Sequence, residues 1–145
     1  MTRATAAVAV EIDRDECLQL LRSQPVGRVA MTTPDDSPLV VPVNYVVDGE
    51  FVVFRSDPGT KLRLLAARPV SFQVDFIDWF HRSGWSVLGR GRAYEASHWE
   101  VDHLLLEPWA EGDKRHWVRV ELTRLTGRRL DHVAFEFPPD DRGYR

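Results

Sequence analysis

The chain has 145 residues and 16.7 kDa, enough for one domain with a sizeable core. Its hydrophobic content of 43% and charged content of 28% are those of an ordinary soluble globular protein. A formal net charge of -3 excludes a whole-surface attraction to nucleic acid or anionic lipid. Cys17 is the only cysteine, which excludes an internal disulfide framework, and its neighbours Leu18, Leu20 and Leu21 mark it as a small buried hydrophobe rather than a reactive thiol. The opening TRATAAVAV is too short for a signal peptide or a membrane span, so the expectation is a cytoplasmic protein. All five tryptophans lie between Trp79 and Trp117.

Residues 1–12 read as an N-terminal arm, loose or ending in a short strand at Val8 to Ile12. Asp13 followed by Glu16 fits a capping box, and Cys17, Leu18, Leu20 and Leu21 recur at helical spacing, so a helix is expected from Arg14 to Ser23. Gln24-Pro25 stops it. Val26 to Thr32 alternates as a strand, and Thr33-Pro34-Asp35-Asp36-Ser37-Pro38 is a turn into a second strand, Leu39 to Val46. Asp48-Gly49 turns the chain again into Phe51 to Arg55, which gives an antiparallel meander with one face to bury.

A compact polar loop, Arg55-Ser56-Asp57-Pro58-Gly59-Thr60, leads into a short amphipathic helix from Lys61 to Arg68 that Pro69 ends. A strand end, hydroxyls, cations and a helix start make a candidate anion cradle, although the spacing matches no standard phosphate-loop motif. Val70 to Ile77 alternates clearly as a strand. Trp85 to Glu95 is another, with Trp85, Val87, Gly89, Gly91 and Ala93 on one face and Ser86, Leu88, Arg90, Arg92 and Tyr94 on the other. Glycines at alternate strand positions imply either a barrel corner or a close approach by a ligand or a neighbouring chain. Ser97 and Glu100 form a second capping box, opening a short helix through Leu105 that Pro108 closes. A charged loop holding Trp109 follows, then a strand from His116 to Leu122, continued by Leu125 to Leu130.

Six or seven strands with two or three short helices and short connections point to a mainly β fold, a small antiparallel barrel whose closure removes exposed edges. No dinucleotide fingerprint is present. The domain is expected to span residues 13–130, with an irregular tail over 131–145. His98 and His103 are off the helical repeat and His81 and His116 stand alone, so no metal-ligand spacing is present. No residue is a convincing acid or base; His81 is the nearest candidate.

Several segments together resemble the pyridoxamine 5'-phosphate oxidase-like flavin-binding split-barrel superfamily, in its small actinobacterial branch near the nitroimidazole-resistance proteins. They are Pro25-Val26-Gly27-Arg28-Val29-Ala30, Val41-Pro42-Val43-Asn44-Tyr45, Phe54-Arg55-Ser56-x-x-Gly59-x-Lys61, Gly84 to Ala93, and His116-Trp117-Val118-Arg119-Val120. The resemblance runs from about Asp13 to Leu130. It implies a homodimeric FMN-dependent oxidoreductase with two flavin sites at the subunit interface. The ring would lie along the Val41 to Tyr45 strand, at Val43, Asn44 and Tyr45, mainly against backbone. Its phosphate would be held by Arg55, Ser56 and Lys61, while the partner subunit would contribute Trp85, Arg90 and the Trp109 loop.

Each role has a structural rival. Arg55 can point away from the site, Ser56 can cap the loop, Asn44 can turn toward the loops, and Trp85 and Trp109 can serve as dimer core. The deazaflavin F420 on the same barrel, and a non-catalytic flavin- or haem-binding module, are the competing readings. The acidic C-terminal tail lacks the substrate-phosphate arginines of true pyridoxamine phosphate oxidases and points away from that substrate.

Overall fold

The computed structural model describes residues 4–59 and 68–135, with side chains described over 8–59 and 68–130. The expected helix from Lys61 to Arg68, with Lys61 itself, lies outside the described residues but for Arg68, as does the tail beyond 135. Among the described residues seven strands and two helices follow in the order β1 (Ala4–Ile12), α1 (Arg14–Arg22), β2 (Val26–Thr32), β3 (Pro38–Asp48), β4 (Phe51–Ser56), β5 (Pro69–Asp78), β6 (Ser83–Glu95), α2 (His98–Val101) and β7 (His116–Phe135). The sheet order is β1-β7-β4-β3-β2-β5-β6 with a further β6–β7 pairing, so six strands close into an antiparallel barrel and β1 lies outside it on β7.

The period-two patterns decide which face is inside. In β2 the buried positions are Gly27, Val29 and Met31; in β5 they are Val70, Phe72 and Val74. Phe54, Phe72, Val52, Val74, Val87, Val118 and Val120 are fully buried and form one apolar core. Burying a phenylalanine of this kind stabilises the fold by about 2–3 kcal/mol. The β3–β4 hairpin turns on Gly49 and Glu50, with Asp48 and Phe51 as the last pair and Gly49 at φ +60°. A positive φ at the first loop residue is the primed-turn geometry that suits strand twist.

Helix α1 is capped by Asp13, whose Oδ1 accepts from the Glu16 amide at 2.8 Å. The Glu16 carboxylate reaches Arg129 instead of completing a capping box. Cys17 and Leu21 are fully buried against the barrel end, and the Tyr45 hydroxyl donates to the Leu21 carbonyl. Arg14 Nη2 donates to the Leu122 carbonyl at 3.2 Å. Burial pushes the Cys17 thiol pKa up, which keeps it protonated and inert.

Three boundaries differ from the sequence expectation. The N-terminal strand is longer, running Ala4–Ile12 against Phe135 to Gly127, so residues 131–135 are strand. Helix α2 ends at Val101 rather than Leu105, and Leu105 is 92% exposed: Ser97 caps the start, but no apolar face follows that could be buried. The two late strand segments are one strand, β7, interrupted by a bulge where Gly91 faces Leu122 and Arg90 faces Arg124, leaving Thr123 over. Gly91 sits at that bulge because a Cβ there would lie 1.6 Å from the Glu121 carbonyl oxygen. The alternate glycines of β6 are therefore explained by the close approach of β7 at a barrel corner.

Gly91→Ala is expected to destabilise the protein by about 3 kcal/mol or more, because the obstacle is backbone rather than a flexible side chain. Chemical denaturation of the variant against the native chain measures it; an unchanged midpoint would show that the bulge yields freely.

Candidate functional site

Strand alternation that buries one set of side chains sets the other on the outer wall. The outward residues of adjacent strands line up through the ladders: Val40 opposite Ala30, Ala30 opposite Ser71, Ser71 opposite Arg90. Because Ala30 and Ser71 are small, the wall is hollowed there into a groove of about 570 Å³. Pro38, Pro69 and Val70 supply apolar surface, Thr32, Ser71 and Thr123 supply hydroxyls, and Arg90 and Arg92 supply positive charge. This is the size and character of a small-molecule site, mostly apolar with a few placed polar groups.

A second assembly forms over the end of β4. Arg55 Nε donates to the Lys114 carbonyl at 2.8 Å and Nη1 to the Leu106 carbonyl at 3.1 Å, while the guanidinium lies 5.1 Å from the Trp117 ring centroid. Ser56 is buried and its hydroxyl donates to the Asp57 carbonyl at 3.0 Å. Asp57 Oδ2 accepts from Lys114 Nζ at 2.6 Å. The Asn44 side-chain amide donates to the Pro25 carbonyl at 3.1 Å, and its oxygen accepts from the Trp109 amide at 2.8 Å. Together these bonds strap the segment between α2 and β7 across β3 and β4. The strap is held by polar groups yet presents Leu105 and Trp109 to solvent, at 92% and 72% exposure.

The nine expected cofactor residues are thus distributed. Arg90 lines the groove. Asn44, Arg55, Ser56 and Trp109 belong to the strap assembly, where the described donors of Arg55 and the hydroxyl of Ser56 bind loop carbonyls. Val43 packs against the core, and so does Trp85, opposite Phe76 and Arg129. The Tyr45 ring is buried edge-on against Phe72 at 4.8 Å, and burial raises its phenol pKa so that it stays protonated. Tyr45 can meet a ligand on the outer wall through backbone only, whereas Val43 and Trp85 are half-buried. Lys61 lies outside the described residues. His81 is occupied at the β5–β6 turn, with Nδ1 at 2.6 Å from Asp78.

Sequence reasoning missed Lys114, Ser71 and Thr123, which the fold brings to these places from polar stretches without a motif. It also missed the cluster that anchors the strap. Arg119 points outward from β7, lies 3.8 Å from the Phe51 ring centroid, donates to the Tyr94 hydroxyl at 2.8 Å and pairs with Glu100. His103 Nε2 approaches Asp48 at 3.4 Å nearby. The second capping box was the available signal, since it placed Glu100 but not its partner.

The Ser97 amide, donating to Glu100 at 2.9 Å, and then Arg119 hold the Glu100 carboxyl below its usual 4.5. A depressed folded pKa means stability that is present above about pH 4.5 and lost as pH falls through the folded value. Denaturant melts between neutral and acidic pH are expected to show that loss, and Glu100→Gln to flatten it; an identical acid limb in the variant would place the titration elsewhere. Arg55→Ala is expected to cost about 2 kcal/mol and to expose the strap to limited proteolysis between 102 and 115, with the barrel intact. Cleavage no faster than in the native chain would show that the strap does not depend on Arg55.

Residues 13–129 match the model of the pyridoxamine 5'-phosphate oxidase family. An uncharacterized protein of Mycobacterium tuberculosis is 35% identical over 136 residues, 87% of this chain and 88% of its own. The structure of a FAD-binding protein from Mycobacterium smegmatis superposes with a TM-score of 0.67 at 33% identity, covering 86% of this chain and 100% of that one. A FAD-binding protein from Mesorhizobium loti gives 0.70 at 26% identity, with 86% and 98% covered. The barrel and its closing ladder, the matched span and these relatives agree: the chain belongs to the pyridoxamine 5'-phosphate oxidase family, on the flavin-binding split-barrel fold.

Proposed function

We propose that this chain is an FMN-dependent oxidoreductase that acts as a homodimer, with the flavin lodged on the outer wall of the barrel. The observation that carries the reading is the groove itself, a hollow over Ala30 and Ser71 flanked by Arg90 and hydroxyls, on the barrel of this family. The FAD-binding proteins among its structural relatives support a flavin as the group it receives. The residues fit such a group in kind: small side chains and prolines leave a surface for a planar ring, and a cation with hydroxyl donors suits its polar edge and phosphate.

When bound, the flavin supplies the electron and hydride chemistry, which no side chain of this chain can. The chain's own residues bind and orient it. Thr32, Ser71 and Arg90 offer donors, the backbone of β3 supports the ring's edge, and Lys61, outside the described residues, is the cation that the sequence assigns to the phosphate. Arg55 and Ser56 act at one remove, by fixing the strap beside β3 and β4. Leu39 and Val40, exposed at 37% and 59%, are apolar positions beside the groove that a second copy would cover, excluding water from the ring.

The purified protein is expected to carry or bind FMN, seen as the flavin absorbance bands, and to bleach them on reduction. Titrations with FMN, FAD and F420 rank the cofactors, and light scattering reads the dimer. Lys61→Ala is expected to weaken FMN binding about tenfold, the loss of one charge-assisted contact. A chain that binds no flavin overturns the reading, and tight binding without any substrate-dependent reoxidation reduces it to a flavin-binding module.

A further inference from the structure

Four arginines of the barrel and its first helix are matched with carboxylates. Arg28 pairs with Asp75 at 3.1 Å, Arg14 with Glu50 at 3.1 Å, Arg119 with Glu100 and Arg129 with Glu16. Arg90 and Arg124 are different. They stand directly opposite each other in the β6–β7 ladder, both exposed on the outer face, and neither guanidinium makes a hydrogen bond or ion pair with a described residue. Like charges facing across a sheet are destabilising. The neighbouring rung shows the ordinary solution, with Arg92 opposite Glu121.

The opposed pair is held in place. The bulge leaves Thr123 unpaired, and the Thr123 hydroxyl donates to the Arg90 carbonyl at 3.1 Å, tying the two strands at this rung. Gly91 locks the next residue against the Glu121 carbonyl. On the other side Ser71 lies opposite Arg90, so one row across the wall reads Ala30, Ser71, Arg90, Arg124, the first three lining the groove and Arg124 one strand beyond its lining. Two guanidinium forks and a hydroxyl in one row form a donor set suited to a multiply charged oxyanion.

We propose that Arg90 and Arg124 form an anion clamp at the edge of the groove, specific for a phosphate group, with Ser71 as the adjoining donor. The anion neutralises the repulsion between the two arginines, which is why the rung carries two cations and no carboxylate. The inference goes beyond the flavin reading, because it follows from the strand ladder whether or not a flavin binds. The phosphate belongs either to the flavin or to a separate phosphorylated small molecule, and the two are distinguishable.

The test titrates inorganic phosphate into the full chain at constant ionic strength, followed by phosphorus NMR, with and without saturating FMN. Saturable binding is expected, weakened about tenfold by Arg124→Gln and by Arg90→Gln. Arg128→Gln, an exposed arginine that faces Ser86 on β6 and Glu11 on β1, is expected to leave it unchanged. In phosphate-free buffer Arg124→Gln is expected to melt no lower than the native chain, since it removes the repulsion, and to lose the rise in melting temperature that phosphate gives the native chain. Phosphate displaced by FMN, together with weaker FMN binding in Arg124→Gln, assigns the clamp to the flavin's phosphate. Phosphate still bound beside FMN assigns it to a separate phosphorylated ligand. Phosphate binding in a chain that takes up no flavin keeps the clamp and removes the flavin reading. No saturable phosphate binding, or equal binding in the Arg90, Arg124 and Arg128 variants, overturns the proposal.

Discussion

The pairing of β6 with β7 is the constraint on which the rest depends. Strand β7 is 20 residues long and serves three neighbours: β4 along its first part, β6 along most of its length and β1 at its end. Without that pairing β6 and β7 would be open edges; with it the sheet closes and β1 lies outside the ring. Closure requires a sharp local bend, and the bulge at Thr123 supplies it. The approach is so close at Glu121 that only a glycine fits at position 91. A backbone contact of this kind cannot relax by choosing another rotamer, so every outward residue near it has a defined place.

That rigidity divides the labour between two faces of the same strands. The inner face is an uninterrupted apolar core from Val29 to Leu122, which supplies the stability. The outer wall is thereby free to carry small, basic and hydroxylated residues without loss to the core. The groove is hollowed by the small side chains of Ala30 and Ser71, and the bulge residues Gly91 and Thr123 line it as well. The chain's position in a flavin-binding family and the character of the groove lead to one reading. A pocket held by a stiff barrel wall is suited to a cofactor that does the chemistry itself.

The strap follows a different logic. It has little regular structure, and its attachment relies on charged and amide groups: Arg55 to two carbonyls, Asn44 to two more backbone groups, Lys114 to Asp57, and Arg119 to Glu100. Segments held this way open at lower cost than barrel strands. Its apolar side chains, Leu105 and Trp109, are directed outward, where the barrel cannot bury them.

The architecture was legible in the amino-acid order because burial acts through periodicity. Alternation of apolar residues marked β2, β3, β5 and β6, helical spacing with a capping aspartate marked α1, and turn chemistry marked the β3–β4 hairpin. Resemblance in the segments around Gly27, Asn44 and Gly89 then named the family that the comparisons support. Only the fold could decide what depends on pairing partners distant in the chain. The alternate glycines of β6 were ambiguous until β7 was seen against them. Arg55 and Ser56 read equally well as anion ligands or loop holders until their hydrogen-bond partners, as many as 59 positions away for Arg55, were in place. Arg90 and Arg124 lie 34 positions apart with nothing local to link them, and register alone sets them side by side. Local pattern encodes which face is buried, because burial is a property of each residue and its near neighbours. A site on the outer wall is assembled across strands, and its composition exists only once the ladder has closed.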